Sequence, residues 1–348
     1  MSSESEMAPL ETRLARVEGL SAERENEIKR LRRANGALGA SNAELQSKLD
    51  RYATIKPADM KVPPWLKPRG KTAAHVCTAM TIWSDFHLDE VVDLDEMDGI
   101  NSYDRAIATQ RFDNIVNGTV KLMKQYSGTK VHGIVVCLNG DIITGDIHEE
   151  LARTNEAPVP STIVHWVPKL AAGLSHLADE FGAVHVPCVD GNHDRTYFKT
   201  PKKKRAESSN AWIIYNWLAD TLRDDSRITF GISTSPEQLV DVYDTTFLLS
   251  HGDGFRGAGG IGGLYPSMLK WLLRRHQLYG STKRDFDYAV LGHWHQDLYG
   301  QDFIVNASLK GYDEYAKDGG FTFGKAGVQL WTVTPERGLD NRRFVFAD

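Results

Sequence analysis

Val131-His-Gly-Ile-Val-Val-Cys-Leu-Asn139, followed at once by Gly140-Asp141, decides how this chain is read. The apolar run is nearly continuous rather than alternating, as in a strand buried on both faces, and it breaks at a glycine and a carboxylate. The same arrangement recurs. Residues 76–84 are β-rich and run into Asp85-Phe-His87, and residues 184–189 into Gly191-Asn192-His193-Asp194. Residues 246–250 lead to His251-Gly252, and residues 288–291 to Gly292-His293-Trp294-His295. Helical spacing is expected over 105–125, 164–181, 210–222 and 267–278, with further strands near 302–307, 327–334 and 344–346. Strands alternating with helices read as α/β. Ligands of open α/β sheets bind where strands end, so five strand ends can converge on one site.

The side chains at those ends are metal donors. Asp85 and His87 stand two apart, so an extended chain would aim both to one side and let them hold one ion. Asp141 follows a glycine that admits close backbone approach, and its carboxylate can bridge two ions. Asn192 offers a neutral oxygen, and His251, His293 and His295 offer imidazoles. Two divalent ions about 3.5–4 Å apart can clamp a phosphate for in-line displacement, which points to a phosphoesterase. His148-Glu149 reads as a helix start bordering the second motif.

The N-terminal part is of another kind. Residues 10–52 carry a heptad repeat, with Leu10, Val17, Leu31, Leu38, Leu45 and Tyr52 at d and Leu14, Ile28, Asn35, Asn42 and Leu49 at a. Leucine at d with asparagine at a favours a parallel homodimer, with a trimer second. Arg24 and Ser21 interrupt the seam, and Gly36 and Gly39 each weaken the helix by roughly 1 kcal/mol. A single solvated helix lying on its own domain is the alternative. Pro57, Pro63, Pro64 and Pro68 then read as a stiff linker. The expected organisation is a coiled-coil helix at 1–55, a linker at 56–71 and a catalytic domain at 72–348.

Composition sets limits. Among 348 residues 41% are hydrophobic and 25% charged, with a net charge of −5. Any nucleic-acid surface must therefore be local. Cys77, Cys137 and Cys188 read as buried, reduced core residues, which fits a cytoplasmic setting. The sequence contains neither a signal-like N-terminus nor a spanning apolar run.

Taken in order, D-x-H, G-D, G-N-H-D, H-G and G-H-x-H resemble the motifs of the calcineurin-like metallophosphoesterase superfamily, over about residues 76–300. The resemblance implies a four-layer sandwich of two packed mixed β-sheets flanked by helices. It implies one metal at Asp85, His87, Asp141 and His295, and a second at Asp141, Asn192, His251 and His293. It also implies in-line attack by a hydroxide held between the ions. His193 would stabilise the phosphoryl oxygens and protonate the leaving alcohol, and Asp194 would orient His193. A donor set without thiolate suits Mn²⁺, Fe or Zn²⁺, with Mn²⁺ favoured for a nuclease.

Ser-Asp-Phe-His-Leu, the closing Asp of the third motif and the full Gly-His-Trp-His look most like DNA-repair exonucleases and phage or bacterial phosphodiesterases. DNA is the expected partner, in a bacterial or phage-infected cell, with an ATPase partner left open. Only 53 residues follow His295, too few for a further DNA-capping domain. Arg195 could touch phosphate, and Lys202, Lys203, Lys204 and Arg205 could form a basic lip. A hydrolase of a small nucleotide or other phosphoester, and a catalytically silent coiled-coil scaffold, are the alternative functions.

Overall fold

A computed structural model describes residues 24–40, 42–43, 46, 63–67, 76–126, 130–257 and 263–348. The chain divides into two units, residues 1–55 and 56–348. Most of the heptad region expected over 10–52 lies outside the described residues. Within it, residues 24–40 are helical and exposed.

The larger unit is mixed α/β with two mixed sheets. The first contains β1 (Val76–Trp83), β2 (Lys130–Leu138), β3 (Val184–Cys188), β4 (Ile228–Ile232), β10 (Gly327–Thr334) and β11 (Gly338–Phe346) in the order β11-β10-β1-β2-β3-β4. Strands β1 to β4 run parallel, and β10 and β11 join antiparallel. The second contains β5 (Glu237–Val242), β6 (Thr245–Ser250), β7 (Tyr288–Leu291), β8 (Leu298–Tyr299) and β9 (Phe303–Val305), in the order β5-β6-β7-β9-β8.

Side-chain alternation explains how the sheets stack. On β1, Ala79 and Trp83 face one core while Met80 and Ile82 face another. That second core also takes Phe247 and Leu249 of β6, Val290 of β7 and Trp331 of β10, so it lies between the sheets. Leu248 of β6 points the opposite way. Helices α1 (Arg105–Tyr126), α3 (Val159–Phe181) and α4 (Asn210–Thr221) cover the outer face of the first sheet through Ile115, Trp166, Leu174 and Ile214. Helix α5 (Tyr265–Ser281) covers the second through Met268, Trp271 and Leu272. Two short helices, α2 (Glu149–Thr154) and α6 (Glu314–Asp318), lie in loops. Strands β4, β5 and β8 and the short helix α6 were not expected from the sequence.

Of the proline-rich stretch, residues 63–67 are described. Leu66 is buried in the core between the sheets, and its carbonyl accepts the Tyr243 N–H at 2.8 Å. The three cysteines are buried and free. Among the described residues no helix is long and apolar enough to cross a membrane.

Candidate metal centre

The donors sit past the strand ends, and their backbone is unusual. Asp85, His87, Asp141, His293 and His295 have φ of 55°, 47°, 52°, 68° and 51°. Asp85 and His87 therefore do not continue an extended strand, as their spacing had suggested. They lie in a left-handed loop held by Asp85 N–H to Gly140 O and His87 N–H to Asp141 O, both 3.1 Å. The neighbouring glycines are required by contact. A Cβ on Gly191 would stand 2.1 Å from Asp141 Oδ1, and one on Gly292 would stand 2.4 Å from Asp85 Oδ2.

Two donor groups result. Donor atoms of Asp85, His87 and His295 lie within 4.8 Å of one another, as do those of Asp141, His251 and His293. The groups interlock, since the His293 N–H donates to Asp85 Oδ1 at 2.8 Å. Asn192 joins the second group, with Oδ1 3.1 Å from His251 Nε2.

The lone pairs fit a cation. His251 Nδ1 donates to the Asn139 carbonyl at 2.8 Å. Its Nε2 then faces Asp141 Oδ2 at 2.8 Å as well as Asn192 Oδ1. An imidazole lone pair against two oxygens is repulsive unless a proton or a metal ion lies between them. Burial alone would push the His251 pKa down, but the Asp141 carboxylate overrides it and raises it to about 10. Asp141 itself is pushed up by burial, yet His251 and His193 hold it well below the usual carboxylate range. In the first group, His87 Nε2 and His295 Nε2 approach to 3.1 Å. Burial, then Lys310, hold His87 well below an ordinary histidine, and burial, then His251, bring His293 to about 4. Neutral imidazoles are the form that binds metal.

His193 stands beside the donors without belonging to either group. Its ring centroid is 4.7 Å from that of His87, and its Nδ1 donates to Thr144 O at 2.9 Å, leaving Nε2 free of that bond. Burial lowers its pKa. Asp194 does not orient this ring as expected. Its buried Oδ2 instead accepts the N–H groups of Asp141 (2.8 Å) and Gly191 (2.9 Å), so it braces the backbone beneath two motifs. Burial, then Asp141, raise its pKa to about 7.

Two expected substrate contacts are internal braces. Arg195 donates to the carbonyls of Asn192, Tyr197 (3.0 Å) and Phe198 (3.3 Å). Arg205 pairs with Asp190 and, at 3.0 Å, Asp253. Lys202, Lys203 and Lys204 are exposed. His148 starts α2 as expected, and its ring lies 6.0 Å from that of His193.

Sequence reasoning did not find the roles of Glu90 and Lys310. Glu90 Oε2 lies 3.3 Å from His87 Nδ1, and Lys310 Nζ donates to Glu90 Oε1 at 2.7 Å and to Asp313. A buried lysine that reaches a candidate donor histidine through one carboxylate, Glu90, has no local sequence signal. Compared with known proteins, the chain matches no family model and no curated protein.

Proposed function

We propose that this chain is a dinuclear metal-dependent phosphodiesterase acting on DNA, built as the four-layer metallophosphoesterase sandwich. The observation that carries the reading is the pair of interlocked donor groups, Asp85/His87/His295 and Asp141/His251/His293, at the ends of strands from both sheets. Asn192 would complete the second group, and Asp141, within electrostatic reach of His87 as well as His251, would be the carboxylate shared by two ions. Two divalent ions, Mn²⁺ before Fe or Zn²⁺, supply there a water of lowered pKa and polarise the phosphoryl oxygens when bound.

The chain's own residues do the rest. The Thr144 carbonyl fixes the His193 tautomer and leaves Nε2 to face substrate. An anionic phosphate beside that ring favours its protonated form, and its burial-lowered pKa makes proton transfer to the leaving oxygen easy. Glu90 Oε2 stands 3.3 Å from His87 Nδ1 on the far side of that ring, close to it but not hydrogen-bonded. We read the N-terminal heptads as a homodimer, with exposed Ile28, Leu31 and Leu38 supplying the seam; sedimentation equilibrium returning the mass of one chain would sink that part.

A hydrolase of a small phosphoester is the second reading. The observation that bears on it is a cleft of about 380 Å³, half open to solvent, lined by Tyr312, Phe323 and Phe346 and by none of the donors. A Cβ on Gly324 in its wall would stand 3.0 Å from the His295 carbonyl.

The deciding experiment is Mn²⁺-dependent hydrolysis of labelled linear DNA beside bis-p-nitrophenyl phosphate, for wild type and His193→Ala. We expect wild type to cleave both. The variant should keep its metal content and lose about 10²–10⁴-fold in turnover, the range of a general acid. Cleavage of the small ester alone moves the substrate to small phosphoesters. No turnover with metal bound overturns the enzyme reading and leaves the scaffold.

A further inference from the structure

The loop after the third motif is a closed, braced structure. Arg195 and Ser209 form a backbone bridge at its base, and Thr196 Oγ1 donates to Ser208 O at 2.8 Å. Compact loops with joined ends are frequently functional. The two arginines that looked like phosphate contacts hold its limbs in place. Arg195 ties the carbonyls of Tyr197 and Phe198 to that of the donor residue Asn192, while Arg205 anchors the other limb on Asp190 and Asp253.

What the loop turns outward is then specific. Tyr197 is 58% exposed and Phe198 81%, next to each other in sequence. Lys199, Lys202, Lys203 and Lys204 are exposed in the same loop, which holds one acid, Glu207, 4.0 Å from Lys204 Nζ. On a chain of net charge −5 this is a local concentration of positive charge. Aromatic faces gain by stacking on bases, and lysines gain by displacing counterions from phosphates. Duplex bases are already stacked on one another, so rings of this kind gain most where a strand is single or splayed.

We propose that residues 196–208 hold a single-stranded stretch of nucleic acid. Tyr197 and Phe198 stack on unpaired bases, and the four lysines follow the backbone toward the metal donors. The assignment of that strand as the substrate rests on the phosphodiesterase reading. It narrows the substrate class to single-stranded or frayed polynucleotide.

The test is fluorescence anisotropy of the full chain with a labelled oligothymidylate and with a blunt duplex of the same length, in EDTA so that neither is cut. We expect the single strand to bind more tightly. Phe198→Ala should weaken single-strand binding about tenfold, and Phe198→Trp should keep it. Replacing Lys202, Lys203 and Lys204 with Gln should flatten the plot of log affinity against log salt by about 0.7 for each lost phosphate contact. Equal binding of both forms, or single-strand binding indifferent to Phe198→Ala, overturns the proposal. The two readings fail separately. Metal-dependent hydrolysis of bis-p-nitrophenyl phosphate without single-strand preference removes the loop assignment only. Phe198-dependent strand binding without hydrolysis of any ester removes the phosphodiesterase reading only.

Discussion

Asp85, His87, Asp141, His293 and His295 hold a left-handed backbone that costs a side-chain-bearing residue roughly 1–2 kcal/mol. Such strain persists only where the surroundings over-determine it, and here it coincides with the converging donors. A histidine away from that centre shows a different balance. His185 lies buried on β3, with Nδ1 2.9 Å from Thr229 Oγ1, and burial lowers its pKa to about 4 from an ordinary 6.5. The unfolded chain therefore takes up the proton first as pH falls. Stability is full above the ordinary value and declines as pH drops toward about 4, by about 3 kcal/mol when the whole shift is expressed. His185→Gln should flatten that acid slope, read from urea denaturation at about pH 7 and about pH 5. An equal slope in both proteins would exclude His185 as its source. The donors were legible because residue type and a flanking glycine suffice to mark them. The role of Asp194 was not, since its hydrogen-bond partner Asp141 is 53 residues away in sequence.

Loops rather than strands carry the second tier of the site. The segment after β9 supplies Lys310, which reaches across to Glu90 in the loop after β1, while Thr144 Oγ1 donates to the same carboxylate at 3.1 Å. Burial alone would lower the Lys310 pKa, but Glu90 and Asp313 raise it, so the group stays charged. Lys310→Met leaves two buried carboxylates without their cation and should cost about 3–5 kcal/mol. Adding Glu90→Gln to that variant should recover part of the loss. A double-mutant cycle by thermal unfolding reads the coupling, and strictly additive effects would rule out the tie. At this scale the sequence was legible where strands end in donors. It was silent on β4 and β5, edge strands that end in no motif. Helix α3 begins at Val159, earlier than expected, because Pro160 sits in its first turn, where a missing N–H costs nothing.

The two sheets meet under the candidate donors, and two asparagines join them there. Asn139, at the end of β2, donates to Ser250 O of β6 (2.8 Å) and Val290 O of β7 (3.2 Å). Asn306, after β9, donates to Ser84 and accepts the Gln329 N–H of β10 at 2.9 Å. The first sheet's strand ends position Asp85, His87, Asp141 and Asn192, and the second's position His251, His293 and His295. An ion held by both sets therefore exists only while the sheets stay docked, so its binding energy adds to the stability of the whole unit. At free metal one hundred times its dissociation constant the gain is about 2.7 kcal/mol. Calorimetry should show Mn²⁺ raising Tm by on the order of several degrees and EDTA reversing it. His295→Ala removes a donor whose side chain is partly exposed, so the variant should fold and show a smaller rise. A Tm indifferent to Mn²⁺ would mean that the interlocked groups do not bind that ion, and an undiminished rise in His295→Ala would place the bound ion away from the first group. A reduced rise would show that the seam between the sheets is where metal binding and folding are coupled.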